Sequence, residues 1–268
     1  MSTHTSADPS PQPYADPSPQ QPYAGPSSQP HDLTLDDPAR RPAGPEATAL
    51  PVADAAYWEA AAETFDDEPD HGLRDPAVRA AWATRLRTWL PAEPAEVLDL
   101  GCGTGSLSLL AAEQGHRVLG VDRSPRMIER ARTKLAGRDA AFLVGDAAEP
   151  HVGERRFDVV LVRHLLWALP DPTAALRRWA DLLVPGGRLV LVEGRWGESD
   201  PIGIPADELT RLVAPLAAHT TVQDLAHDTV LWGKEVHDER YALLADLPRT
   251  RLSRRGAPSP LRFAVPRA

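Results

Sequence analysis

Residues 98 to 106 read LDLGCGTGS, with Gly101, Gly103 and Gly105 at alternate positions directly after an apolar run. Glycine-rich turns at the end of a strand let the backbone approach a ligand closely. Which ligand this turn serves is decided by the residues around the glycines. A phosphate-gripping loop ends in Gly-Lys-Ser/Thr, whereas here Gly105 is followed by Ser106 and Leu107. A dinucleotide fingerprint needs G-x-G-x-x-G. Gly101 and Gly103 fill its first two places, but Ser106 stands at the third and the last glycine comes one residue early. Asp99, on the strand leading into the turn, is expected to point into the mouth, where a fixed anion repels a pyrophosphate and attracts an ammonium group.

Around this turn the chain alternates strand and helix. EVLDL (96–100), RVLGV (117–121), AAFLVG (140–145), FDVVLV (157–162) and RLVLVE (188–193) are short apolar runs suited to strands buried on both faces. One helix opens after Gly105 and stops at Gly115. A second begins at Ser124-Pro125 and closes at Gly137. A third starts at Asp171-Pro172, packs Leu176, Trp179 and Leu183, and ends at the PGG that follows. Upstream, RDPAVRAAWATRLRTWL offers Asp75 as N-cap, Pro76 at the first helical position, and Val78, Trp82, Leu86 and Trp89 at helical spacing. Such alternation predicts an α/β fold with a doubly wound, Rossmann-like parallel sheet.

In such sheets ligands lie beyond the carboxyl ends of the strands. Asp122 closes the second strand, 21 residues after Gly101, where an acid accepts hydrogen bonds from ribose hydroxyls. Asp146 closes the third, placed to accept from an exocyclic amine. Three carboxylates at successive strand ends describe an amino acid, a ribose and an adenine, which together make S-adenosylmethionine. With VLDLGCGTG, GVDRSPRMI, VGDA and LVPGGRLVLVEG in order, the chain resembles the class I S-adenosylmethionine-dependent methyltransferases over roughly residues 55–248. Within them it is similar to the small-molecule branch around the ubiquinone and menaquinone methylases.

The resemblance implies a mostly parallel sheet with an antiparallel last strand and a helical N-terminal lid. It implies that Asp99 and the backbone of Gly101 and Gly103 hold the methionine end, and that Asp122 takes the ribose diol. Met127 would lie near the adenine face, Asp146 would bind the adenine amine, and the backbone of Ala147 the ring. Cys102, Arg123, Gly145 and Arg163 complete the expected cofactor set. Cys102 is read as a small residue in a tight turn, not a nucleophile, and no zinc-spaced partners or other metal ligands accompany it.

At the acceptor end, methyl transfer is an in-line displacement helped by positioning and, for some acceptors, by a general base. His164, just past the fourth strand, and His71 are the candidate catalytic residues. For His164 the competing reading is a histidine that caps the strand end or packs under the cofactor. Tyr57, Trp58, Phe65 and His71 would form the working face of the lid. Trp167, Arg195 and Trp196 are the further candidate acceptor contacts, though packing is the plainer reading for the aromatics. The acidic run Asp66, Asp67, Glu68 and Asp70 would favour a cationic acceptor if it faced the site. His219, His227 and His237 receive no role.

Composition bounds the rest. The chain has 268 residues, a net charge of −9 and a single cysteine, which argues against a disulfide framework and fits a reducing, cytoplasmic compartment. Its acidity argues against nucleic acid as a partner, and no apolar run is long enough to span a membrane. The partner expected is a small-molecule acceptor, with a homodimer as the one protein partnership considered. Residues 1–52 form a Pro-rich tail with eleven prolines up to residue 50, no Val, Ile, Phe or Trp in that stretch, and an imperfect repeat carrying Tyr14 and Tyr23; such a segment is expected to be disordered. Residues 53–94 are read as the helical lid segment, 95–248 as the cofactor-binding domain, and 249–268 as a flexible basic tail bearing Arg251, Arg254, Arg255, Arg262 and Arg267. Two other readings stay open: a non-catalytic cofactor-binding subunit, and a methyltransferase acting on RNA or protein.

Overall fold

The strand carrying the glycine turn, β1 (Glu96–Leu100), lies in the middle of the sheet. The structure is a computed structural model that describes residues 55–197 and 201–250. The Pro-rich repeat with Tyr14 and Tyr23 and the basic segment from Arg251 lie outside the described residues. On one side β1 pairs in parallel with β2 (Arg117–Asp122), and β2 with β3 (Ala140–Val144). On the other it pairs in parallel with β4 (Phe157–Arg163), and β4 with β5 (Leu183–Trp196). A two-residue β6 (Ile202–Gly203) pairs with the end of β5. Beyond β5, β8 (Glu239–Asp246) runs antiparallel to both β5 and β7 (His219–Asp224), giving the order β3-β2-β1-β4-β5-β8-β7. Strand order reverses between β1 and β4, so their carboxyl ends frame the crevice where such sheets bind ligands.

Alternate strand residues feed two opposite cores. Leu98, Leu100, Val160 and Val162 pack with Trp179 of α6 (Pro172–Leu182), and Leu209 of α7 (Ala206–Val213) joins the same cluster. Val97, Val159 and Leu161 pack on the other face with Trp82, Leu86 and Trp89 of α3 (Pro76–Trp89). Each such side chain contributes about 1.5–3 kcal/mol on burial. Asp75 caps α3 by accepting from the N–H groups of Ala77 (2.7 Å) and Val78 (3.0 Å), with Pro76 at its start. Because α3 is a core layer, the lid expected over residues 53–94 narrows to the segment before it.

That segment comprises α1 (Ala55–Ala61), a 3-10 turn (Phe65–Asp67) and α2 (Pro69–Gly72). It is tied down by two acids. The Glu59 carboxylate accepts from Ser124 Oγ, the N-cap of α5 (Pro125–Lys134). Asp66 meets Lys134 Nζ at 2.9 Å and accepts from Thr104 Oγ1 in the glycine turn. One boundary differs from the sequence expectation. Leu183 does not extend α6 but pairs with Phe157 in the β4–β5 ladder, and Pro185-Gly186-Gly187 lies within the strand run, where the register shifts between Phe157 and Val159. The irregularity lets a proline and two glycines sit at the start of a strand that regular pairing would deny them.

Candidate active site

A cavity of about 960 Å³ opens over the carboxyl ends of β1, β2, β3 and β4. Its first half is built by the glycine turn. Gly101 and Gly103 have φ of +68° and +52°, in the left-handed region that L side chains resist. A Cβ on Gly101 would stand 3.1 Å from the Leu165 side chain, and one on Gly103 would stand 3.3 Å from the Phe65 ring. The turn is held against β2 because the N–H groups of Gly101 and Cys102 both donate to the Val121 carbonyl, at 2.8 and 3.1 Å. Helix α4 (Ser106–Glu113) starts immediately after it.

Asp122 fixes the same turn from the neighbouring strand. One carboxylate oxygen accepts from Gly103 N–H and the other from Ser124 N–H, each at 2.9 Å. Each oxygen keeps a lone pair, so the oriented carboxylate can still accept from a diol. Burial pushes its pKa up, and the backbone hydrogen bonds oppose that rise. Asp146 accepts from Ala148 N–H at 2.8 Å and lines the cavity beside Gly145, Ala147, Arg123 and the buried Met127. Asp99 also reaches the wall, but it is only 3% exposed and accepts from Ser108 Oγ on α4 at 2.6 Å. Burial lifts it to about 6, against the pull of the Ser108 hydrogen bond and the Arg163 guanidinium. Cys102 is half-buried, and desolvation followed by the charges of Asp99 and Asp122 pushes its thiol up, which disfavours a reactive thiolate.

Residues 98–191 match the family model described as a methyltransferase domain. The chain is 41% identical over 105 residues to an aklanonic acid methyltransferase from Streptomyces sp., covering 37% of this chain and 48% of the relative. It therefore spans about half the length of that relative. It is 32% identical over 206 residues to a trans-aconitate 2-methyltransferase from Methylobacterium radiotolerans, covering 68% of this chain and 74% of the relative. The chain belongs to the S-adenosylmethionine-dependent methyltransferases. The N-methyltransferase NodS from Bradyrhizobium japonicum, solved with S-adenosylhomocysteine, shares the methyltransferase fold. Its TM-score is 0.56 at 20% identity, covering 71% of this chain and 98% of that one.

The cofactor of this family is S-adenosylmethionine, and the first half of the cavity fits it. A Cβ at Gly101 or Gly103 would crowd Leu165 or Phe65, and Asp122 and Asp146 present oriented carboxylates at successive strand ends. The second half of the methyltransferase cavity is aromatic and cationic. His164 sits at φ +55°, donates its N–H to the Val192 carbonyl at 2.9 Å and lies edge-on to Trp196 at 4.9 Å. Its ring is near-parallel to Trp232 of α8 (Thr229–Trp232) at 6.1 Å. Its Nε2 is buried without a hydrogen-bond partner among the described residues. Burial, then the charges of Arg163 and Arg240, hold the imidazole well below its ordinary pKa, so it is neutral at pH 7.

His71 stacks on Phe65 at 4.4 Å, and burial followed by the Arg163 charge pushes it down as well. Arg163 donates to the Asp70 carbonyl at 2.6 Å and sits over the Trp82 ring. Trp58, Phe65, Trp167 and Trp196 all line the cavity.

Two expected acceptor contacts lie elsewhere. Tyr57 is 59% exposed and packs edge-on against Trp58 without lining the cavity. Arg195 is exposed on β5, where strand alternation turns Trp196 inward and Arg195 away. The acidic run is largely matched by cations: Asp66 with Lys134, Asp67 with Arg74 and Glu68 with Lys234. Sequence reasoning missed Trp232, Lys234 and Arg240, which line or border the cavity from the far end of the chain. It also missed Glu193, fully buried, whose Oε1 accepts from the N–H groups of Leu165 and Leu166 at 2.9 and 2.8 Å. A lone acid closing the apolar RLVLVE run was the available signal.

Proposed function

We propose that the protein catalyses S-adenosylmethionine-dependent methyl transfer to a small-molecule acceptor held beside His164. The observation that carries this is the continuity of the cavity. The glycine turn with Asp122 and Asp146, and the aromatic end around His164 and Trp196, line one space. Bound at the first end, the cofactor supplies an electrophilic methyl group on a sulfonium.

The chain's own residues supply placement. Asp99, Gly101, Gly103, Asp122, Asp146 and the backbone of Ala147 hold the cofactor, with Cys102, Arg123, Met127, Gly145 and Arg163 as the surrounding wall. The segment bearing Trp58, Phe65 and His71 covers the cavity and excludes water. His164 is the candidate catalytic residue. A neutral imidazole with an open Nε2 can take a hydrogen bond or a proton from the acceptor. His71, also neutral, is the second candidate. The relatives named for trans-aconitate and aklanonic acid support a small-molecule acceptor, and no helix among the described residues is long and apolar enough to cross a membrane. We further infer a cytoplasmic setting from the single cysteine, and a homodimer as the assembly to test by light scattering.

Calorimetric titration of the full chain with S-adenosylmethionine and S-adenosylhomocysteine tests the reading. Micromolar binding is expected. Asp122→Ala should weaken it by about 100-fold, since it removes a charged acceptor and leaves two backbone donors unpartnered. Absence of binding to either ligand by the unmodified protein would overturn it.

A further inference from the structure

We propose that the acceptor is a flat organic carboxylate, its anionic group gripped by Arg240 and its carbon skeleton packed against the cavity-lining rings of Trp196 and Trp167. This rests on the methyl-transfer reading and names the substrate class for the same cavity.

Arg240, at the start of β8, offers an anion site. Its guanidinium lies 4.7 Å from the Trp232 ring centroid and 5.8 Å from that of Trp196. Its side chain is 13% exposed. Nε and Nη2 donate to the two oxygens of Asp238, at 2.8 and 3.2 Å, which fixes the plane of the fork through one edge. The other edge, made by Nη1 and the second proton of Nη2, has no partner among the described residues and belongs to a side chain that lines the cavity. A guanidinium pinned on one edge and open on the other is pre-organised for bidentate capture of a second carboxylate.

The charges around it point the same way. Lys234 and Arg163 line the same cavity. The acids that would welcome a cationic acceptor are engaged: Asp66 with Lys134 outside this end, and Glu68 with Lys234. Asp70 is 6% exposed, and its charge acts on the Arg163 guanidinium. An amine acceptor would meet the open edge of the Arg240 guanidinium, whereas a carboxylate can accept from it.

The walls set the shape. Trp167 and Trp196 both line the cavity with their rings 6.1 Å apart at 69°, and His164 stands across Trp196 at 76°. Ring faces of this kind favour a planar, unsaturated or aromatic skeleton over a bulky saturated one. The buried, unpartnered Nε2 of His164 then offers a second polar anchor, as donor or acceptor according to its tautomer.

The test is a calorimetric titration of the full chain saturated with S-adenosylhomocysteine. Benzoate, trans-cinnamate and 1-naphthoate are each compared with the corresponding neutral amide, and trans-cinnamate also with cinnamylamine. At least one acid should bind about tenfold or more tightly than its amide, and cinnamylamine should bind more weakly than both its acid and its amide. Arg240→Gln should abolish the preference for the acid while leaving the affinity for S-adenosylhomocysteine unchanged; Arg240→Lys should restore it in part. Amide or amine binding as tight as the acid overturns the proposal, as does an Arg240→Gln protein that keeps the preference. Failure of all three acids to bind the saturated protein also overturns it. The acid–amide comparison uses the unmodified chain, so it decides the matter even if Arg240→Gln does not fold. Failure to bind S-adenosylhomocysteine at all would instead sink the methyl-transfer reading beneath it.

Discussion

The two ends of the cavity are built in different ways. At the cofactor end, the groups that face the ligand sit on successive strand ends within residues 99–147, and the glycine turn is held by short-range backbone hydrogen bonds to β2. At the acceptor end, the wall is gathered from the segment before α3, the end of β4, the end of β5, Lys234 after α8 and the start of β8. The first is a motif. The second exists only once the antiparallel β8 has brought Arg240 beside Trp196. Charge follows the same division, with oriented carboxylates at one end and guanidiniums around a neutral histidine at the other.

The acceptor end also depends on a buried acid that makes no contact with the cavity. Glu193 holds the backbone after His164 through two N–H groups, while its Oε2 is buried without a hydrogen-bond partner among the described residues. Burial lifts its carboxyl from the ordinary 4.5 to about 7. The folded protein therefore binds this proton more tightly than the unfolded chain. Stability is lost as pH rises through that interval, and the cost is complete above pH 7. Each tenfold difference in proton affinity between the folded and unfolded chain is worth about 1.4 kcal/mol, so the cost is roughly 3 kcal/mol. Glu193→Gln keeps an acceptor for Leu165 and Leu166 and removes the charge. In urea unfolding it should be more stable than the unmodified protein by about 2–3 kcal/mol at pH 8 and little changed at pH 5. The difference between the two proteins isolates this group. Asp99, raised by burial, titrates with the same sign, and the lowered His71 and His164 with the opposite one. Equal stability of both proteins at pH 8 would show that the loop after β4 does not rest on a strained carboxyl.

A smaller effect probes how tightly the two ends are joined. Gly103→Ala places a methyl group 3.3 Å from the Phe65 ring at a φ of +52°. The backbone strain alone costs about 1–2 kcal/mol, so folding stability in urea unfolding should fall by at least that much. In the Phe65→Ala background the penalty should shrink by the steric part only, because the backbone strain stays. An unchanged penalty would mean that the segment bearing Phe65 already yields, and that the turn and the lid are independent.

The same contrast explains what could be read in advance. The strand–helix alternation, the N-caps at Asp75, Ser124 and Asp171 and the glycine turn are local, so spacing alone exposes them. Asp122 and Asp146 are legible because a parallel sheet places successive strand ends side by side. Arg240 carries no such signal: nothing in a chain of many arginines marks the one that folding places over two tryptophans. The extent of the lid is hard to read for the opposite reason. The helical period of Val78, Trp82, Leu86 and Trp89 is the same whether a helix covers a cavity or a sheet, and only the second core shows which.

The finest distinction is between neighbours on β5. Trp196 lines the cavity and Arg195 does not, although both lie beyond the buried run of the strand. Arg195 pairs through its backbone with Glu239 on β8 and with Gly203 on β6, so its side chain has only the outer face left to it. Arg195→Ala should alter stability by no more than about 0.5 kcal/mol. It should leave the affinity of the tightest-binding flat carboxylate within about twofold, whereas Trp196→Ala should weaken it about tenfold through lost ring stacking. If the two substitutions cost the same, β5 is offset by one residue at its end. That offset would turn Trp196 outward and uncouple Arg240 from its ring, so this smallest comparison also checks the geometry on which the acceptor end depends.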